Sequence, residues 1–245
     1  TIFYVMEFVD GRIFWDPTLP EIDENKRMKV YEETVRIMAE LHKIDVEKAG
    51  LLDFGKPGNY FERQVGRWIK QYRAAETETY PEVEKLIAWL EKTMPEDDGL
   101  ISIVHGDYRL YNMIFDHREE RMLALLDWEL STIGHPYADL AYQCMNWHIP
   151  QIGITPGLAG INLERLGIPS EEDYVSNYCS KMGIKSIPNW SFYLAFGFFR
   201  LAGIAQGVYK RSIQGNASAD NAKELGAAVP ILGKIALSIV GRDNA

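Results

Sequence analysis

Only two of the 245 residues are cysteine, Cys144 and Cys179, and they stand in no metal-ligand spacing. A disulfide scaffold or a cysteine-based zinc site is thereby excluded, and two reduced core thiols are expected. Positive charge is also scarce: 26 Lys and Arg face 35 Asp and Glu, a formal net charge of −9. General nucleic-acid and anionic-membrane binders need clustered cations, so neither partner is expected. No run reaches the roughly 18 apolar residues that a membrane span requires. The longest aromatic-apolar stretch, Trp190–Ala205, is broken by Ser191, Gly197 and Arg200. Internal repeats, low-complexity tracts and a secretory leader pattern are missing too. A cytoplasmic location is therefore expected, and the sequons at Asn189–Ser191 and Asn216–Ser218 read as chance matches. What is present, 47% hydrophobic and 25% charged residues, is ordinary for a globular chain of one large domain or two small ones.

The chain opens at Thr1 directly into the apolar run Ile2–Val9, which reads as a buried strand ending at the Asp10-Gly11 turn, as if entered midway. A two-proline loop, Pro17–Glu24, precedes a helix to about Ile44, with Asp23 or Asn25 as its cap. Met28, Tyr31, Val35, Met38 and Leu41 follow three- and four-residue steps and are expected on its buried face. Leu51–Asn59 reads as loop, Tyr60–Ala75 as helix, and Pro81 starts a helix that ends before Pro95. Ile101–Val104 reads as a short strand, and Met113–Phe115 with Met122–Leu126 as a hairpin. Pro136 suits the first position of a helix through Trp147. After a loop over Ile149–Pro169, Ser170-Glu171-Glu172-Asp173 resembles a capping box that opens a helix to Met182. Trp190–Ile213 and Ser218–Val240 read as long helices, the second interrupted at Pro230.

The chemistry concentrates in Val104–Glu129, VHGDYRLYNMIFDHREERMLALLDWE. A kinase needs a carboxylate to take the acceptor's proton, a metal ligand a few residues on, and a second carboxylate for the metal. Protein kinases supply these as H-R-D-x-x-x-x-N, a hairpin, then D-F-G. Here Asp107 precedes Asn112 by the same five-residue step, and the hairpin ends at Asp127-Trp128-Glu129. Asp107 is the candidate base, and Asn112 and Asp127 the candidate Mg²⁺ ligands, offering the oxygen donors that hard cation prefers. Glu129 is a candidate extra metal or water ligand, Arg109 a candidate neutraliser of the transferring phosphate, and His105 a candidate for orienting the loop. Each residue alone would suit a turn or a strand-end cap; their joint spacing favours phosphoryl transfer. Asp139 lies in the first turn of the helix after Pro136, placed either to offset the helix dipole or to accept hydrogen bonds from the loop. Arg63, Arg67, Lys70 and Arg73 form one basic helix stripe, either a solvated face or an anionic-substrate site. The remaining histidines show no paired metal spacing.

With V-H-G-D-x-x-x-x-N and L-L-D-W-E the sequence resembles the aminoglycoside phosphotransferase/choline kinase-like family, which shares the protein-kinase fold. Gly50–Tyr72 and Leu125–Tyr142 resemble, more narrowly, the kinase-like domains fused to or encoded beside certain acyl-CoA dehydrogenases. The resemblance implies an α+β fold: a mostly helical C-terminal lobe of a kinase-like fold with a small β-hairpin region. In it, residues 1–11 match the inter-lobe hinge strand and 12–245 the catalytic lobe. Backbone groups near Glu7 and Val9 would bind adenine, and Asp139 would support the catalytic loop. The implied activity is phosphoryl transfer from ATP or GTP, with Mg²⁺, to a small-molecule alcohol such as a hydroxyacyl-CoA, with a functional link to an acyl-CoA dehydrogenase. The alternatives are a non-catalytic binding module and an aminoglycoside- or choline-type kinase. Tyr111 is bulky where the family pattern favours an acidic or small residue. No G-x-G-x-x-G-like loop and no strand lysine with a partner glutamate precede the hinge, so the N-terminal β lobe is expected to be absent and the chain alone inactive.

Overall fold

Apolar residues at helical steps pair with breakers at the ends of each segment, and the elements follow. The computed structural model describes residues 5–151, 156–215 and 222–242. Helix α1 spans Glu24–His42 and buries Tyr31, Val35, Met38 and Leu41. Met28 does not share that face: it is 38% exposed, because the stripe drifts around the helix toward its start. Asp23 holds the N-cap position without a side-chain cap bond. Helices α2 (Tyr60–Ala75) and α3 (Pro81–Lys92) lie where the sequence places them, α3 with proline at its start.

Two small antiparallel pairs carry the β structure. Strand β1 (Ser102–Val104) pairs with β4 (Thr132–Gly134), and β2 (Met113–Phe115) pairs with β3 (Met122–Leu125). The second pair is nested inside the first along the chain. Residues 105–112, between β1 and β2, therefore lie beside residues 126–131, between β3 and β4. Sequence periodicity missed β4, which is only three residues long. Its glycine admits the ring of Tyr60, since a Cβ at Gly134 would stand 2.5 Å from that ring.

Helix α4 (Tyr137–Cys144) follows, continued by a 3-10 turn at Met145–Trp147, with Pro136 one residue ahead of the helix. After the short α5 (Leu163–Leu166), α6 (Glu171–Met182) is capped by Ser170 Oγ, which accepts from the Asp173 amide. Helix α7 (Trp190–Ile213) packs against α2, α3, α4 and α8 (Ala222–Arg242) and forms the centre of the lobe. Pro230 does not interrupt α8: the helix runs through it, with Val229, Leu232 and Ala236 buried on either side. That packing offsets the hydrogen bond proline removes. By length and composition α7 and Glu224–Arg242 could each cross a membrane, against the sequence expectation, but 72% of the α7 window is buried inside the protein. Cys144 and Cys179 are buried and unpaired, as expected.

The expected Ile2–Val9 strand is not observed over its described part. Residues 5–11 form no ladder; only Arg12 pairs, by two backbone hydrogen bonds of 2.8 Å to Phe115. A strand needs backbone hydrogen bonds to a neighbour, and among the described residues 5–11 make none. Ile2–Tyr4, the sequon at Asn216 and the expected helix start at Ser218 lie outside the described residues.

The two α1 methionines test the assigned face. Met38→Ala should cost about 2–5 kcal/mol in urea denaturation, and Met28→Ala less than about 1 kcal/mol. Equal losses would contradict the face assignment.

Candidate active site

The loop after β1 begins with two backbone groups held by one carboxylate. The amides of His105 and Gly106 donate to Asp139 Oδ2 and Oδ1 at 2.7 and 2.8 Å. Asp139 is 1% exposed, so these bonds offset the cost of burying its charge. Of the two roles open to Asp139, the structure shows the hydrogen bonds to the loop. His42 Nε2 stands 3.4 Å from the same carboxylate, and its Nδ1 is 2.8 Å from the Tyr178 hydroxyl. Gly106 has φ +87°, and a Cβ there would stand 2.6 Å from the Leu130 carbonyl oxygen. Only glycine lets the loop turn this close to its neighbour.

His105 joins the two loops. The Asp107 amide donates to its Nδ1 at 3.2 Å, so the ring proton sits on Nε2 and is donated to the Leu126 carbonyl at 2.8 Å. A second tie runs from the Leu126 amide to the Asn112 carbonyl, 2.7 Å. His105 is fully buried and orients the loop.

Both oxygens of Asp107 are engaged. Arg109 Nε lies 2.9 Å from Oδ1, and Asn112 Nδ2 donates to Oδ2 at 3.0 Å and to the Asp107 carbonyl at 2.9 Å. An ionised carboxylate offers about four lone-pair sites, so capacity remains for a substrate hydroxyl. Arg109 also lies over the ring of Tyr142, 4.2 Å from its centroid, and over Tyr111 at 5.5 Å. Tyr111 stacks on Trp15 at 5.8 Å, which gives that bulky residue a place. Burial raises the Tyr111 hydroxyl's pKa above its ordinary value, so it stays neutral.

Asp127 begins the facing turn in the left-handed region, φ 66° and ψ 57°, which aspartate tolerates better than most residues. Its carboxylate is exposed, as is that of Glu129, and neither has a hydrogen bond or ion pair among the described residues. No cluster of three acidic, histidine or cysteine ligands exists among the described residues. The donor set fits Mg²⁺ nonetheless: Mg²⁺ takes one or two protein ligands and fills its octahedron with water and phosphate oxygens. Asn112 and Asp127 would supply that pair from the two tied loops.

The other candidates are not brought to Asp107 by any contact among the described residues. Arg63 donates to the Lys56 carbonyl, Arg67 and Lys70 are exposed on α2, and Arg73 is paired with Glu84. Glu7 is exposed and Val9 half-buried, before the Arg12–Phe115 pairing. Sequence reasoning missed Tyr142 and His42 as parts of the site, and noted Arg200 only as a break in an apolar run. Arg200 leans on the Tyr142 ring, 4.7 Å from its centroid.

A family model described as "Phosphotransferase enzyme family" matches residues 1–162, about two thirds of the chain. The chain belongs to this family. Its structure superposes with a TM-score of 0.92 on a crystal structure from Ralstonia eutropha assigned as an aminoglycoside phosphotransferase. The two are 45% identical, over 97% of this chain and 72% of that one. The whole chain is 44% identical to part of acyl-CoA dehydrogenase family member 10 of Mus musculus, of which it covers 23%. It is also 44% identical to part of acyl-CoA dehydrogenase family member 11 of Homo sapiens, over 90% of this chain and 28% of that protein. The chain thus spans about a quarter of the length of these two relatives. The fold class is that of the kinase-like phosphotransferases, with a helical lobe and a small β portion.

Removing the carboxylate of Asp139 leaves two buried amides without an acceptor. Asp139→Ala should cost about 3 kcal/mol or more in urea denaturation and speed hydrogen exchange at the Gly106 amide more than tenfold. An unchanged Gly106 exchange rate would show that Asp139 does not hold the loop.

Proposed function

We propose that this chain is the catalytic lobe of an enzyme that transfers the γ-phosphate of ATP to the hydroxyl of a small molecule, with Mg²⁺. The observation that carries the reading is Asp107, held by Arg109 and Asn112 in a loop tied at Leu126 to the turn bearing Asp127. Asp107 accepts the proton as the acceptor oxygen forms its bond to phosphorus, and the bond from phosphorus to the ADP oxygen breaks. Arg109 and Asn112 hold the carboxylate in one orientation, so proton acceptance needs no rearrangement. Asn112 and Asp127 would hold Mg²⁺, which neutralises charge on the phosphates when bound. GTP is the alternative donor.

The finer assignment is a hydroxyacyl-CoA acceptor, with a functional link to an acyl-CoA dehydrogenase. Two observations support it. The relatives named above are acyl-CoA dehydrogenase family members. Near Asp107, the ring of Tyr142 carries guanidinium groups instead of the carboxylates a cationic acceptor would need. We place the enzyme in the cytoplasm.

The test is turnover by the full-length protein that carries this chain, with MgATP and hydroxyacyl-CoA, aminoglycoside and choline acceptors. Asp107→Asn should lower kcat by about 10²–10⁴ with only the hydroxyacyl-CoA turned over by wild type. Full activity in the Asn variant would remove Asp107 as the base.

A further inference from the structure

Arg200 is the charge in this lobe that the catalytic scheme leaves without a task. It sits on α7, within an otherwise apolar stretch, partly buried. Its guanidinium lies over two rings, 4.7 Å from the centre of Tyr142 and 5.7 Å from that of Trp68. Among the described residues it has no carboxylate, carbonyl or hydroxyl partner. Arg109 leans on the same Tyr142 ring, but its charge is met by Asp107. Two guanidinium groups thus share one ring and repel, and only one of them is neutralised. A partly desolvated cation without an acceptor is costly unless a ligand supplies one.

The surroundings add to the positive field. The buried Tyr60 hydroxyl, pushed up to about 12 by desolvation, feels Arg200 as the largest nearby charge, with Asp139 opposing it and Arg63 and Arg67 adding to it. Trp68 then continues into a cleft of about 520 Å³ between α2 and α7. Gly203, Ile204, Gly207, Lys210 and Arg211 line it with Trp68, and no carboxylate does. The indole lies against Gly203, where a Cβ would stand 3.2 Å from the ring. Lys210 is engaged with the Ala74 carbonyl, and Arg211 has no partner among the described residues. In a chain of net charge −9, a cleft lined by Trp68, Lys210 and Arg211 and by no acidic group, with Arg200 over the Trp68 ring beside it, is complementary to an anion with an apolar arm.

We propose that Arg200 is the specificity residue of an acceptor subsite that binds a phosphate group carried by the acceptor itself. The rest of the acceptor lies along the Trp68 cleft. The proposal rests on the phosphotransferase reading for its link to Asp107. The planar guanidinium fork matches a phosphate, and stacking on Trp68 and Tyr142 fixes its orientation before the ligand arrives. This subsite is distinct from the expected substrate stripe of Arg63, Arg67 and Lys70, of which only Arg63 and Arg67 add to the field at Tyr60.

The probe is coenzyme A, which carries phosphates and an apolar-amide arm, with uncharged pantetheine as the comparison. Binding to the chain is measured by calorimetry at low ionic strength, with excess MgATP present. Coenzyme A should bind one per chain and pantetheine not detectably. Arg200→Gln should weaken coenzyme A binding at least tenfold, Arg200→Lys should be intermediate, and Trp68→Leu should weaken it several-fold. Arg121→Gln, which removes a surface cation already paired with Asp116, should bind as wild type. Circular dichroism melts check that each variant folds; if Arg200→Gln does not, the Lys and Trp68 variants decide. The proposal is overturned if wild type does not bind, if MgATP displaces the probe, if the Arg200 and Trp68 variants bind normally, or if Arg121→Gln weakens binding as much. Loss of coenzyme A binding in Arg200→Gln together with no MgATP-dependent phosphorylation of any tested acceptor by the wild-type full-length protein would keep the subsite and remove the phosphotransferase reading.

Discussion

The site depends on one buried carboxylate accepting two consecutive backbone amides. Asp139, at the start of α4, holds His105 and Gly106 and thereby sets where the whole 105–112 loop begins. A surface ion pair would be worth about 1 kcal/mol or less. Here the carboxylate is out of water, and an unmatched partner would incur the full desolvation penalty. That asymmetry makes the grip specific, since one carboxylate accepts both amides. His42 and Tyr178 extend the arrangement into the helical core, so the position of α4 relative to α1 and α6 reaches the loop through hydrogen bonds.

The nested strand pairs do the rest. Because β2–β3 lies inside β1–β4 along the chain, the Asp107 loop and the Asp127 turn emerge side by side. His105 and the Leu126 amide then fasten one to the other across that gap. A candidate base and two candidate metal ligands come from two separate segments, yet backbone hydrogen bonds fix their relation. Side-chain freedom enters late, at the exposed carboxylates of Asp127 and Glu129. Exposed, unpaired carboxylates on a rigid base suit a cation that arrives with its own phosphates and water.

Much of this is legible in the sequence because its signals are local. The five-residue step from Asp107 to Asn112, the hairpin, and helices α2, α3, α6 and α7 all announce themselves by spacing, proline or a capping serine. What stays hidden is what depends on tertiary partners. Strand β4 is three residues long and exists because β1 pairs with it. Met28 fits the helical step of α1 but falls off its buried face. Pro230 is a breaker whose effect packing against α7 overrides. Residues 5–11 have strand-forming character but make no backbone hydrogen bonds among the described residues. Arg200 and Tyr142 lie 58 residues apart in the sequence, and only the packing of α4 against α7 brings the guanidinium onto the ring. The Asp139 grip likewise spans more than 30 residues; its place after Pro136 left loop support as one of two alternatives, and the family resemblance implied it.

On this reading the two tied loops together form a metal–nucleotide site. The most direct test is electron paramagnetic resonance of Mn²⁺ titrated with ATP and the protein, comparing wild type with Asp127→Asn. Wild type should bind one Mn²⁺–nucleotide complex per chain, and the variant should lose it with the fold intact. Equal Mn²⁺–nucleotide binding in the two proteins would contradict it.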